Sequence, residues 1–192
     1  NERNKVNGNL TTDAGFLNTL STDMSPKIGY FTVAPRFAID SKWYNKQIEQ
    51  YSAASSKGTD SIVTNTIDKI GIVNTFDFGL SATTKFYGMF NINSLGISAI
   101  RHTVSPNVTY SYRPDFSEPQ WGYYSEYNKL DGTPVKYDKY QNEVFGGATS
   151  GERQNINFSL GNNFEMKTLV DPTDTTSKEQ KIQLLNLTFG TG

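Results

Sequence analysis

The side chain in this sequence with the clearest capacity for chemistry is its single histidine. His102 is the only histidine, and the chain contains no cysteine, so the residues do not supply the three or four ligands that a zinc site needs. A serine triad would also depend on His102, and no Gly-x-Ser-x-Gly nucleophile motif accompanies it. We therefore interpret His102 as an interfacial residue near one edge of a membrane.

Two groups of acidic residues have spacings that resemble known sites. One group has the paired carboxylates of a glycosidase, but it lies in an aromatic, proline-containing loop where carboxylates are normally solvated; it consists of Asp115, Glu118 and Asp131. The other loosely resembles a calcium loop, without the EF-hand spacing or its central glycine; it consists of Asp171, Asp174 and Glu179. We expect no catalytic residue, no metal site and no cofactor, and hence no enzyme.

Charged residues occupy the polar side of segments in which apolar and polar residues alternate. They carry both signs, which predicts a hydrated, mixed interior and not a filter for one ion. Ladder pairing between neighbouring strands is an alternative role for the same side chains. The residues predicted to face a lumen are Asp77, Lys85, Arg101, Glu165 and Lys167.

Aromatic residues cluster where the alternating segments end. Amphipathic rings favour the headgroup zone of a bilayer, so transmembrane barrels carry an aromatic girdle at each rim. A sugar-binding patch or a core patch would have a similar composition. The residues predicted to belong to a girdle are Trp43, Tyr44, Tyr110, Tyr112, Trp121 and Tyr87.

These side chains need elements to position them, and the sequence predicts β-strands. From residue 72 to residue 86 the even positions are mostly apolar and the odd positions are mostly polar, which is the two-faced pattern of a strand. An ordinary strand has about 5–6 residues, whereas a tilted transmembrane strand needs about 9–11. The predicted strands lie at 27–40, 71–89, 96–112 and 153–167, with a further one from about 180.

The connections between the predicted strands alternate in length. They are long at 41–70 and 113–152 and short at 90–95 and 170–179, while 13–26 is predicted to be turn-like. Outer-membrane barrels combine short periplasmic turns with long extracellular loops, so both long connections are predicted to be extracellular. The predicted fold is all-β: an antiparallel up-and-down transmembrane β-barrel, of which this chain supplies about five to six strands.

Composition fits this fold class and excludes others. The 192 residues carry a net charge of −1 and contain no run of about 18 apolar residues, so transmembrane helices are excluded. No cluster of Lys and Arg indicates nucleic-acid binding. The chain opens without an initiator Met or an apolar leader and stops within a predicted strand. We therefore expect 1–192 to be one partial domain, a mid-barrel segment.

Three positions in the predicted strands interrupt regular pairing. Pro35 and Pro106 each lack a backbone donor, which predicts either a bulge or a locally weak seam. The alternation slips at Leu184 and Leu185, which predicts a β-bulge in the last strand.

A distinctive run of residues carries a resemblance to a known family. Residues 100–117 read Ile-Arg-His-Thr-Val-Ser-Pro-Asn-Val-Thr-Tyr-Ser-Tyr-Arg-Pro-Asp-Phe-Ser, and Trp-Gly-Tyr-Tyr follows at 121–124. This run resembles the lipopolysaccharide-assembly outer-membrane protein family LptD in its Bacteroidetes-type form. Similar stretches occur in the same order at 31–37, 84–90 and 159–167.

The resemblance implies a function and a set of partners. Members of the family form a large barrel in the outer membrane of Gram-negative cells, receive lipopolysaccharide from periplasmic bridge proteins and release it into the outer leaflet. A lipoprotein plugs that barrel. The expected partners are therefore lipopolysaccharide, outer-membrane lipid, the plug lipoprotein, the bridge proteins and the remainder of the barrel. The family supplies no catalytic residue that could be carried over to this sequence.

Two other functional classes remain open at this point. A general porin would use the same wet lumen for small solutes, and a solute- or glycan-binding outer-membrane barrel would use the aromatic loop at 113–152. A soluble β-sandwich is a third possibility, because a sandwich also has strands with one polar face.

Overall fold

A computed structural model shows a chain built almost entirely of β-strands over the residues that it describes. The structure describes residues 2–6, 9–54, 60–169, 178 and 180–191, and side chains from residue 13 onward. The strands are β1 (Glu2–Val6), β2 (Asn9–Asp13), β3 (Gly15–Asp23), β4 (Lys27–Ile28), β5 (Phe31–Ala54), β6 (Asp60–Thr83), β7 (Phe86–Ser94), β8 (Ile97–Arg113), β9 (Tyr124–Asn128), β10 (Pro134–Asp138), β11 (Arg153–Thr168) and β12 (Lys181–Thr191).

Antiparallel pairing organises these strands into three sheets. The largest has the order β12-β11-β8-β6-β5-β3, with β4 paired to β5 and β7 paired to β8. Two hairpins, β1–β2 and β9–β10, form the two small sheets. The helical structure in the described ranges is one 3-10 turn at Pro119–Trp121. The expected all-β, antiparallel class is therefore confirmed.

No helix within the described residues is long and apolar enough to span a membrane.

Two of the predicted connections are instead strands. The predicted long loop at 41–70 is wrong over most of its length, since β5 continues to Ala54 and β6 begins at Asp60. Gln47 and Ile48 are neighbours and both are buried, so this part of β5 lacks the alternation by which a strand is recognised. The turn-like prediction for 13–26 is likewise wrong where β3 lies, because side chains on both faces of β3 are exposed and no apolar face marks it.

The predicted continuous strand at 71–89 is interrupted between Thr83 and Phe86. Phe86 pairs with Val104, and the backbone N–H of Thr84 donates to the carbonyl of Pro106 at 3.3 Å. Pro106 has no N–H to return to Thr84. We therefore attribute the interruption of the strand to Pro106 on the opposite strand, β8.

The bulge predicted at Leu184 and Leu185 is confirmed. Phe164 pairs with Leu185, whereas the next residue, Glu165, pairs with Gln183. Leu184 is consequently the extra residue on β12, as in a bulge where two residues oppose one.

The chain divides into two compact units, and each is described by itself. Unit 1 contains Asn1–Thr22, Phe37–Phe78 and Tyr112–Arg153. It includes the whole connection between β8 and β11, residues 114–152, which we call the cap. The core of unit 1 is largely aromatic, and its buried cluster consists of Tyr44, Val73, Phe116, Tyr123, Tyr140 and Ala148.

Unit 2 contains Asp23–Arg36, Gly79–Ser111 and Gln154–Gly192. It is built from hairpins and includes the tight β7–β8 turn, in which Leu95 and Gly96 both have positive φ, of 55° and 78°. Positive φ at both central residues is the requirement of a type I′ hairpin turn. A short turn was predicted at 90–95, and the structure has a two-residue turn at its end.

Candidate functional site

The cap of unit 1 folds against β5 and β6 instead of extending into solvent. Phe116 is fully buried and packs edge-on against Phe76, with ring centroids 5.5 Å apart. The Tyr123 hydroxyl accepts the backbone N–H of Asn74 and donates to its carbonyl, both at 2.9 Å. Because a side chain of the cap satisfies backbone groups of β6, the cap and the sheet are joined by specific contacts.

The docked cap buries part of the face of β6 that the sequence predicts to be polar. Val73 lies in the buried cluster and Phe76 packs against the same cluster, although an odd spacing normally places two residues on opposite faces of a strand. Val73 is one of the odd positions that the sequence predicts to be mostly polar, and it is fully buried. Gly71 and Val73 are buried whereas Ile72 and Asn74 are exposed, so alternation continues here and the cap covers the odd-numbered face of β6.

Gly71 provides the space for the central aromatic residue of the cap. Atoms of the Tyr140 ring and hydroxyl lie 2.3–2.6 Å from the position that a Cβ of residue 71 would occupy. The Tyr140 ring also stacks on Tyr44 at 5.6 Å. The Tyr44 hydroxyl donates to the carbonyl of Gly146 at 2.5 Å. Docking of the cap thus depends on a residue without a side chain.

A second, smaller cluster holds the β9–β10 hairpin against β5. Ile48 is buried together with Tyr127 and Tyr137. The backbone N–H of Ile48 donates to the carbonyl of Lys139 at 2.8 Å. The cap is therefore fixed at two separate positions along β5.

Two carboxyl groups are buried where the cap meets β5. Burial raises the pKa of Asp138, although its carboxylate accepts the backbone N–H of Tyr140 at 2.8 Å. Burial and the nearby charge of Asp13 raise the pKa of Glu143, and one of its oxygens has no hydrogen-bond partner among the described residues. The docked cap therefore favours the protonated form of both groups.

The carboxylates that resembled a glycosidase pair organise turns of the cap. Asp115 accepts the backbone N–H groups of Ser117 and Gly151, each at 2.8 Å, and hydrogen bonds from Ser117 lower its pKa. Asp131 accepts the N–H of Thr133 at 2.8 Å. Glu118 precedes the 3-10 turn and makes no capping hydrogen bond with its side chain. Asp115 and Asp131 thus hold the shape of the connection.

Asp77 lies beside a cavity of about 180 Å³ within unit 1. The lining carries two carboxylates and two cationic groups. Lys42 donates to the carbonyls of Phe145 and Gly147 at 3.0 and 2.9 Å. Arg113 has a buried Nε without a hydrogen-bond partner in the described ranges. The residues around the cavity are Ala38, Asp40, Lys42, Thr75, Phe76, Asp77, Arg113, Gly147 and Thr149.

In unit 2, the structure brings together two more of the residues predicted to face a lumen. Arg101 forms a hydrogen-bonded ion pair with Glu165, and Asn163 donates to the same carboxylate at 3.1 Å. Such a cross-strand pair is what the ladder alternative predicts. Lys167 lies opposite Lys181 in the β11–β12 register. The assignment of these residues to a lumen stays a prediction.

His102 lies in a stacked and hydrogen-bonded arrangement in unit 2. Its ring stacks on Phe164 with centroids 4.0 Å apart and a 4° angle between the planes, and Nε2 is 3.1 Å from Oδ1 of Asn162. No group of three or more His, Asp or Glu side chains that could hold a metal occurs among the described residues. The calcium-like group of Asp171, Asp174 and Glu179 lies outside the described residues.

Lys85 and Tyr87 meet at a second cavity, of about 340 Å³, within unit 2. We call it the basic cavity, and it is lined by Lys27, Tyr30, Thr32, Thr83, Thr84, Lys85 and Tyr87. Sequence reasoning did not single out Lys27 or Thr84. The available signal was Pro106, which marks the interruption at which this cavity forms.

The residues predicted to form a girdle differ in their surroundings. Tyr44 is only 2% exposed, and Trp121 packs against Phe76 and Phe116. Trp43 and Tyr87 are exposed. Tyr110 and Tyr112 lie on β8 and are half-buried. Their placement at a membrane interface stays a prediction.

Comparison with known proteins gives one match. A family model described as LptD protein matches residues 3–192. Neither the search of curated proteins nor the search of solved structures found a match.

Proposed function

Because the chain belongs to the LptD protein family, we propose that it forms part of the wall of a transmembrane β-barrel that inserts lipopolysaccharide into the outer leaflet of the outer membrane. The observation that carries this proposal is the family match, which extends over residues 3–192. In this proposal the chain acts without chemical catalysis, and its residues line and support the path along which lipopolysaccharide moves.

The lengths of the strands support a position in a membrane. β5 and β6 have 24 residues each, and β8 and β11 have 17 and 16, whereas a tilted strand needs about 9–11 residues to cross a bilayer. Large apolar side chains along the strands are also exposed, which is unusual for a soluble monomer when they form a continuous area. Examples are Phe16, Leu20, Ile62, Ile70 and Ile72 in unit 1 and Phe31, Phe90, Ile156, Phe158 and Phe189 in unit 2.

The two faces of the strands in unit 2 suit an amphiphilic substrate. On β11, the exposed Phe158 and the paired Glu165 are seven residues apart, so they lie on opposite faces of the strand. On β8, the exposed Val108 and the paired Arg101 are also seven residues apart and therefore also lie on opposite faces. We propose that acyl chains contact the apolar side, while sugars and phosphates pass along the polar side.

The proposed partners follow from this role. They are lipopolysaccharide, the surrounding outer-membrane lipid, the strands that complete the barrel, a plug lipoprotein and the periplasmic bridge proteins that deliver the substrate. The proposal places the cap on the extracellular side, where its aromatic packing against β5 and β6 narrows one mouth of the path.

Depletion of the protein in cells tests this proposal. We expect newly made lipopolysaccharide to accumulate before it reaches the outer leaflet, as measured by its labelling with a reagent that does not cross the outer membrane. Unchanged surface labelling together with lost uptake of small solutes would contradict the proposal and support a general porin. A chain that stays monomeric without detergent would contradict the membrane location.

A further inference from the structure

The basic cavity of unit 2 lies at the interruption between β6 and β7. Residues at the end of β6, in the interruption and at the start of β7 line it together: Thr83, Thr84, Lys85 and Tyr87. Lys85 is one of the residues predicted to face a lumen. We therefore place the cavity on the polar side of the proposed wall.

The β4–β5 hairpin supplies the other side of the cavity. Lys27 and Thr32 are directly paired across this hairpin, which places their side chains next to each other. The turn between them contains Gly29 at a φ of 62°. The Thr84 hydroxyl donates to the carbonyl of Tyr30 at 2.6 Å and fixes the turn against the end of β6. This hydrogen bond joins the turn next to Lys27 to the segment that carries Lys85, and both lysines line the cavity.

The end of β6 is fixed to the opposite strand beside the cavity. The Thr83 hydroxyl and the Thr84 N–H both donate to the carbonyl of Pro106, at 3.1 and 3.3 Å. β6 ends at Thr83 and β7 begins at Phe86. The cavity at this interruption has a volume of about 340 Å³.

The chemistry of the lining selects for an anion. It offers two ammonium groups together with the hydroxyls of Tyr30, Thr32 and Tyr87, and no carboxylate lies among the described residues that line it. Neither Lys27 nor Lys85 forms an ion pair with another described residue. Two lysines without local neutralisation, next to several hydroxyl donors, are well suited to a group with several charged oxygens.

We infer that the basic cavity binds a phosphate group, carried by the headgroup of an amphiphile or free in solution. Several phosphate oxygens can accept from the two ammonium groups and from the hydroxyls at once. The cavity has room for a phosphate and part of the group that carries it. This inference rests on the proposed function, because it makes the cavity a contact point for a phosphorylated amphiphile on the polar side of the wall.

Calorimetric titration of the full chain in an uncharged detergent tests the inference. The probes are inorganic phosphate, micelles that contain phosphatidic acid, and micelles that contain diacylglycerol with the same acyl chains. We expect binding of phosphatidic acid without binding of diacylglycerol. Lys27→Ala and Lys85→Ala should each weaken binding about tenfold, since each removes one charge-assisted contact. Lys85→Arg should retain most of the affinity, and added salt should weaken binding.

Lys129→Ala is the matched control, because it removes one positive charge from the β9–β10 turn and should leave binding unchanged. Binding of both phosphate probes, lost in the Lys27→Ala/Lys85→Ala double variant, supports recognition of phosphate from either source. Binding of one probe alone, lost in the same variant, assigns that source. No binding, or binding that the double variant retains, overturns the inference. If surface labelling of lipopolysaccharide still depends on the protein, the proposed function survives that failure.

Discussion

At the scale of single residues, Gly71 is the position on which docking of the cap depends most directly. The Tyr140 ring lies next to the position that a Cβ of residue 71 would occupy, and this ring stacks on Tyr44. A glycine within a strand usually indicates a bulge or the close approach of another group, and here the structure shows a close approach. The aromatic residues of the cap would not reach β6 at this point if residue 71 had a side chain.

We predict that Gly71→Ala releases or displaces the cap. The new methyl group would lie within 2.6 Å of Tyr140 atoms, and overpacking of this kind costs about 1–3 kcal/mol. Limited proteolysis at the β9–β10 turn should become faster. The matched control is Gly79→Ala in the same strand, where the nearest atoms are 3.7–3.8 Å away. Equal cleavage rates for the two variants would contradict the prediction.

The lining of the basic cavity could be predicted only in part from the sequence. Alternation within one strand indicated that Lys85 and Asp77 lie on the polar face, because that information is local. The proximity of Lys27 depends on the β4–β5 turn and on the Thr84–Tyr30 hydrogen bond, which join residues more than fifty positions apart. No spacing within one segment encodes such a contact.

At the scale of elements, the sequence predicted strands well only where one face is apolar. The strands at 96–112 and 153–167 were found within a residue or two of β8 and β11. The C-terminal part of β5 was missed, because the cap buries adjacent residues such as Gln47 and Ile48. Burial of neighbours removes the alternation of apolar and polar residues by which a strand is recognised. β3 was missed for the opposite reason, since side chains on both of its faces are exposed.

Docking of the cap should weaken as the pH rises. The pKa values of Asp138 and Glu143 are raised in the docked cap from ordinary values of 3.8 and 4.5. Above these ordinary values and up to the raised ones, the docked state binds more protons than the released state, so its stability falls with increasing pH. Hydrogen exchange of cap amides, measured from pH 4 to pH 8 and corrected for intrinsic rates, should show this loss of protection.

Substitutions identify the groups responsible for that pH dependence. Asp138→Asn with Glu143→Gln removes both titrations and should flatten the profile, while the amide oxygen introduced at position 138 can still accept the N–H of Tyr140. Asp131→Asn is the control, because Asp131 is exposed and its pKa is lowered by Thr133. A double variant with an unchanged profile would exclude the two buried carboxyls as the cause.

The β6–β7 interruption predicts a local minimum of protection opposite Pro106. Amides near Thr84 and Phe86 should exchange faster than those near Phe90, which lies in the regular β7–β8 ladder. Pro106→Val restores a donor opposite Thr84 and should stabilise the seam by about 0.5–1.5 kcal/mol, the net contribution of one hydrogen bond. Uniform protection along β7 and β8 in the unmodified chain would show that the proline creates no weak seam.

At the scale of the whole molecule, the two faces of the strands matter more than any single site. The all-β, antiparallel structure agrees with the prediction from alternation, and the family match agrees with the resemblance carried by residues 100–124. The transmembrane barrel, its lumen and its orientation are parts of the proposal, because in it further strands and lipid surround this chain. A test of the wall must therefore compare its two faces with each other within one strand.

Leu80 and Ser81 allow that comparison, because they are adjacent on β6 and project to opposite faces. If the even-numbered face contacts lipid, Leu80→Arg places a charge in hydrocarbon, at a cost of up to about 2–4 kcal/mol near the bilayer midplane. Ser81→Arg places the same charge on the polar side and should be tolerated. We expect the first variant to reduce the heat-modifiable, folded fraction of the full protein in outer-membrane extracts and the second to leave it close to normal. Equal loss in both variants would mean that the two faces do not separate lipid from water.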